Sequence, residues 1–257
     1  MKRQATGLAM WAAAALMANT ACGSYGGVAR HTSENAPRHT SEDARAMDPG
    51  AVMDFDLLYS RNCAGCHGRS GKGGAAIGLA DPVYLTIADD ATIRRVTADG
   101  VPGTAMPAFA QHSGGMLSDR QVDAIVNGIR TRWARPNVLG DIDAPRYAAQ
   151  APGDPKRGAV VYRTFCSSCH GSSGQGGPRG SSIVDGAYLG LVSDQSLRTT
   201  VIAGRPELGA PDWRGDVAGK PMSPAEISDV VAWLAAQRPE FPGQPYSSAL
   251  QPAGGVQ

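Results

Sequence analysis

The sequence predicts an all-α protein built as two tandem, similar helical units, and three observations carry that prediction. A six-residue stretch occurs twice, as Cys63-Ala64-Gly65-Cys66-His67-Gly68 and as Cys166-Ser167-Ser168-Cys169-His170-Gly171. Downstream of each copy, further pairs keep one constant offset: Tyr84-Leu85 with Tyr188-Leu189, Arg94 with Arg198, and Gly100 with Gly204. Helical periodicity then recurs around both copies in the same order, with no alternating strand pattern. The first unit is placed at 51–135 and the second at 154–238.

Before the units, Met1-Lys2-Arg3 is basic, and the apolar run from Gly7 to Ala18 is too short to span a bilayer. With small residues around Ala21, residues 1–21 read as a secretory signal, so the chain is expected outside the cytoplasm. Cys22 belongs to neither repeated motif. In Asn19-Thr20-Ala21-Cys22-Gly23 it resembles the lipidated cysteine of bacterial lipoproteins. Asn19 departs from that pattern, which usually has an apolar residue there; the alternative is a cysteine beside an ordinary cleavage site. Residues 22–50 are expected to be a disordered tether. Arg30-His31-Thr32-Ser33-Glu34 recurs as Arg38-His39-Thr40-Ser41-Glu42, polar and without apolar period, and His31 and His39 read as solvated.

In the first unit, Phe55, Leu58 and Tyr59 fall at helical spacing ahead of the motif; Val161, Tyr162 and Phe165 do so in the second. Ile93 and Val96 mark a short amphipathic helix capped by Asp89 or Asp90. Val122, Ile125, Val126 and Ile129 give a closing helix started by a capping box from Ser118 to Gln121. Ile227, Val230, Val231 and Leu234 repeat it behind Ser223, Pro224 and Glu226. Trp233 reads as a core residue. A proline-containing linker spans 136–153, and Pro239, Pro242 and Pro245 lead into a loose tail, 239–257.

Two thiols three positions apart with an imidazole next in line suit covalent attachment of c-type haem. Each thiol can add to one vinyl group, and His67 or His170 can ligate iron. Zinc would also accept four cysteines, but zinc ribbons bring their pairs closer than the roughly 100 residues between these. A thioredoxin-like pair would sit by a βαβ pattern, which is absent from the sequence. Each unit is small for an independent core, and 42% hydrophobic residues is thin. A haem would supply the missing apolar surface, with Gly71, Gly73, Gly74, Gly174, Gly176 and Gly177 letting the backbone approach it. The net charge of +1 and the absence of a basic stripe give no reason to expect nucleic acid.

Both units resemble class I cytochrome c domains across 51–238: helix, Cys-x-x-Cys-His, glycine-rich loop, methionine loop, closing helix. The resemblance implies two covalent haems, with Cys63, Cys66, Cys166 and Cys169 as attachment points and His67 and His170 as proximal ligands. It implies Met106, in Met106-Pro107-Ala108-Phe109, as sixth ligand of the first haem; Met116 is the nearby competitor. The second unit departs from the pattern, reading Ala210-Pro211-Asp212-Trp213. Met222 refolded onto the iron, Lys220, or an open position are the alternatives there, and Met222 is the candidate ligand. Arg94 and Arg198 read as propionate partners or as helix charges. Tyr84 and Tyr188 read as propionate contacts or packing. The function implied is an electron carrier between redox protein partners, membrane complexes or soluble carriers. The alternative is a haem enzyme, peroxidase-like or thiosulfate-oxidising, using an open second haem.

Overall fold

A computed structural model describes residues 49–215, 217 and 219–240. The leader, Cys22, the tether up to residue 48 and the tail from 241 lie outside the described residues. The described chain is helical, and its β content is two isolated bridges, Ala110 with Leu117 and Arg205 with Ala210. The first repeat contains α1 (Phe55–Asn62), α2 (Ala64–His67), α3 (Pro82–Ile87), α4 (Asp90–Asp99) and α5 (Asp119–Trp133). The second contains α6 (Pro155–Phe165), α7 (Ser167–His170), α8 (Gly186–Leu191), α9 (Asp194–Ala203) and α10 (Pro224–Ala235). None of these helices is long and apolar enough to cross a membrane.

Side-chain caps fix where the helices begin. Asp54 and Asp154 accept from amides of the first turns of α1 and α6. Asp89 caps α4, and Ser193 replaces it on α9. Both closing helices carry the complete capping box, Ser118 with Gln121 and Ser223 with Glu226, which satisfies amides that a helix start leaves without partners. The periodicity gives no sign of α3 and α8. Their signal is Asp81-Pro82, an N-cap with a first-turn proline, and Asp185 at the matching position.

In each repeat the first and closing helices pack together, and they do so in opposite senses. Phe55 of α1 lies against Gly128 of α5; a Cβ there would stand 2.0 Å from the Phe55 ring. Four residues before the matching tyrosine of α6 stands Gly158, and ten residues after the capping serine of α10 stands Trp233. Here the glycine is on the first helix. A Cβ at Gly158 would lie 2.0 Å from the Asp229 carbonyl and 2.7 Å from the Trp233 Cβ. The charges reverse as well. Asp56 of α1 pairs with Arg132 of α5, whereas Arg157 of α6 holds Asp229 of α10 with two 2.8 Å bonds.

The linker is docked rather than loose. Leu139 and Pro145 are buried, and the carbonyls of Arg146 and Tyr147 accept from α9 side chains. One apolar cluster therefore runs from Phe55 and Ile125 through Leu139 to Ile202 and Ile227. A smaller one, with Leu189, Leu197, Val231 and Leu234, lies within the second repeat.

Candidate haem-binding sites

Each Cys-x-x-Cys-His motif is wound into one helical turn directly after the first helix. The His67 and Cys66 amides donate to the Cys63 carbonyl at 3.0 and 3.2 Å, and His170 and Cys169 donate to Cys166 at the same distances. Two thiols and an imidazole at i, i+3 and i+4 thus share one face. Behind the turn, the Tyr59 hydroxyl donates to the Gly68 carbonyl at 2.8 Å, and Tyr162 donates to Gly171. The glycine loop then folds back tightly. A Cβ at Gly74 would stand 2.1 Å from the Cys66 carbonyl, and one at Gly177 2.9 Å from the Cys169 carbonyl. These glycines are required by the motif's own backbone.

The imidazoles are oriented by backbone carbonyls. His67 Nδ1 is 2.9 Å from the Ile77 carbonyl, and His170 Nδ1 is 2.7 Å from that of Ser181. A carbonyl only accepts, so Nδ1 carries the proton and Nε2 keeps its lone pair for a metal. Burial holds His67 below the usual imidazole range, opposed by the Ile77 carbonyl and assisted by the Arg205 charge. Burial, with the neighbouring cysteine, pushes the Cys63 thiol up to about 12 and the Cys166 thiol up to about 11. Among the described residues no three or more His, Cys, Asp or Glu side chains gather as a metal-ion shell. Donor chemistry and loop geometry both fit haem.

The loops that follow α4 and α9 keep the same register. Val101 N donates to the Met106 carbonyl at 3.0 Å, Phe109 N to Ala98 at 3.2 Å and Leu117 N to Phe109 at 2.7 Å. In the second repeat Arg205 N donates to Ala210 at 2.9 Å, Trp213 N to Ile202 at 3.1 Å and Met222 N to Trp213 at 2.8 Å. Met106 is half-buried, Ala210 takes its place, and Met222 takes the place of Leu117. Met222 and Leu117 are 7% and 6% exposed. Lys220 stands 5.2 Å over the Phe165 ring and 4.0 Å from Glu226. Met116 is exposed.

Arg94 and Arg198 have other partners than a propionate in this structure. Arg94 bonds Asp123 and Asp119 on α5 at 2.7 and 3.1 Å. Arg198 is buried and donates to the linker carbonyls of Arg146 and Tyr147. Tyr84 is buried and Tyr188 half-buried, both held above the usual phenol range by burial. Arg130 and Arg238 carry no local signal of their role in the sequence. Arg130 gathers the carbonyls of Leu85 and Ala88 and the Asp90 carboxylate; Arg238 gathers Leu189, Val192 and Asp194. The acceptors match between repeats, but the arginines stand at different distances past their capping serines, which hid the pairing.

Two helical units, each with its imidazole turned by a backbone carbonyl behind a Cys-x-x-Cys turn, define tandem cytochrome c domains. The chain belongs to the family described as Cytochrome C oxidase, cbb3-type, subunit III, which matches residues 50–127 and 153–234. It is similar to the Cbb3-type cytochrome c oxidase subunit CcoP of Azospirillum sp. (strain B510), 30% identical over 46% of this chain and 38% of that one. It is also similar to the cytochrome bc1 complex cytochrome c subunit of Mycobacterium leprae (strain TN), 26% identical over 57% of this chain and 50% of that one. The chain thus spans half or less of the length of these two relatives. A solved structure, a reducing HAO-like protein complex of Kuenenia stuttgartiensis, aligns over 72% of this chain and 96% of its own, at 15% identity and a TM-score of 0.42.

Proposed function

We propose that this chain carries two covalent haems and passes single electrons between redox proteins outside the cytoplasm, held at a membrane through Cys22. The observation that carries the reading is the pair of Cys-x-x-Cys-His turns with Nδ1 of each histidine committed to a carbonyl. When bound, haem c supplies a one-electron couple between ferric and ferrous iron. Cys63, Cys66, Cys166 and Cys169 anchor the two groups, and Tyr59 and Tyr162 brace the turns that present them. The backbone bonds hold His67 and His170 in one tautomer, which keeps each Nε2 a constant donor in both oxidation states. Met106 would supply a soft thioether to the first haem, which would favour the ferrous state. The redox partners are respiratory-chain proteins, a reading supported by the oxidase and bc1 subunits among its relatives.

At the second haem no protein side chain would serve as sixth ligand. The shared register supports this, because it sets Ala210 where Met106 stands and leaves Met222 in the core position of Leu117. Ala210 in that register also favours one second reading, a haem enzyme that would bind a small substrate at the second haem. Haem counting on the denatured, purified chain tests the proposal: two covalent haems are expected, and one haem or bound zinc overturns it. Cyanide is expected to bind the second haem alone, and a substrate turnover abolished by that binding would favour the enzyme reading. Mass spectrometry of the native N-terminus is expected to find an acylated Cys22; an unmodified terminus rules the anchor out.

A further inference from the structure

Arg205 opens the methionine-type loop of the second repeat, where the first repeat has Val101, yet its side chain works in the first repeat. Its Nη2 donates to the Gly74 carbonyl at 2.7 Å, and its Nε donates to Glu207 at 2.7 Å. The pair is mostly enclosed, with side chains 14% and 19% exposed. Burial works to raise the Glu207 carboxyl, but the Arg205 bond and charge, with the amides of Glu207 and Gly73, outweigh it and hold it below the usual range. The pair is therefore ionic, and its two ends meet consecutive residues of the loop that follows the first haem motif. That loop positions His67. Ala76 N donates to the Cys66 carbonyl at 2.9 Å, and the next residue, Ile77, supplies the carbonyl that orients His67. A reciprocal contact runs the other way: Ala105 N, just ahead of Met106, donates to the Leu191 carbonyl at 3.1 Å.

We propose that the Arg205–Glu207 pair of the second repeat positions the His67 loop and sets the reduction potential of the first haem, linking the two haem sites. The inference rests on the haem reading of His67. Oxidation adds one positive charge at the iron, so a nearby cation opposes it and a nearby anion favours it. The Gly74 grip also fixes the carbonyl that tunes the axial imidazole. The second haem's loop and the first haem's loop are thus joined by one guanidinium, and a change in either reaches the other without crossing a helix.

The test uses the full-length two-haem protein, with haem one followed through its imidazole–thioether absorbance during a redox titration. Arg205→Gln removes the cation and leaves Glu207, so the first haem's potential falls. Glu207→Gln leaves Arg205 uncompensated, so that potential rises. Arg205→Lys keeps the charge and restores most of the Arg205→Gln shift. Shifts of opposite sign support the inference, because a merely structural contact would move both variants the same way. No shift, or shifts of one sign, overturns it. If Arg205→Gln fails to fold, the sign of the Glu207→Gln shift decides alone. A haem count of one on the wild-type chain would instead sink the haem reading itself.

Discussion

Replacing Met222 by Ala separates packing from ligation at the second haem. Met222 precedes the cap Ser223, and the fourth residue of α10 is Ile227. The two occupy the ends of a hydrophobic staple, as Leu117 and Val122 do on α5. Met222 and Ile227 are both buried in the main apolar cluster. Truncating a buried Met to Ala costs about 2–5 kcal/mol, depending on how far the site collapses. Met222 lies at the mouth of a helix beside an exposed loop, so the lower part of that range applies, about 2–3 kcal/mol. For a protein of this size that lowers Tm by roughly 5–10 °C. The assay is thermal unfolding beside the ferric absorbance spectrum. The expected outcome is a lower Tm with an unchanged spectrum whose high-spin fraction is already present in the wild type. Conversion of a wholly low-spin wild type to partly high spin would refute the reasoning, since it would place the Met222 thioether on iron.

On the proposed ligation, Met106→Ala is expected to lower the first haem's potential and to admit cyanide or carbon monoxide; an unchanged spectrum would show that another residue ligates. In the helix crossing of the second repeat, Gly158→Ala sets a Cβ 2.0 Å from the Asp229 carbonyl and forces α6 from α10. Overpacking of this kind costs about 1–3 kcal/mol, against the roughly 1 kcal/mol that Ala adds as a helix former, and chemical denaturation reads the net loss. The Arg157 bond holds the Asp229 carboxyl below the usual carboxylate range. Its stabilising contribution is therefore present above the unfolded carboxylate pKa, about 3.9, and is lost as pH falls through the folded value. Asp229→Asn is expected to lower Tm at neutral pH and to flatten its decline in acid; equal declines in both proteins would refute the linkage.

Much of this was legible in the sequence because it depends on local chemistry. The motif turns, the capping boxes of α5 and α10 and the apolar faces of those helices depend on near neighbours in the chain, so spacing reveals them. α3 and α8 stayed hidden because a helix of six residues is too short to show a period; their evidence was the cap alone. Arg94 and Arg198 matched in sequence but diverge in partners, since Asp123 on one side and the linker carbonyls on the other lie far along the chain. The docking of the linker and the reach of Arg205 to Gly74 are tertiary facts, set by how two repeats meet.

The reversed crossing of the paired helices bears on how a duplicated chain finds its own halves. Two nearly equivalent units within one polypeptide invite exchange of partners during folding or between molecules. If α1 were to seek α10, Phe55 would meet Trp233 with no glycine on either side. If α6 were to seek α5, Gly158 would face Gly128 across a void. Both exchanges carry a steric fault, while each native pairing fits bulk to gap. Divergence between the copies thus works as a lock and key within one chain, so that each cytochrome c unit closes on its own last helix.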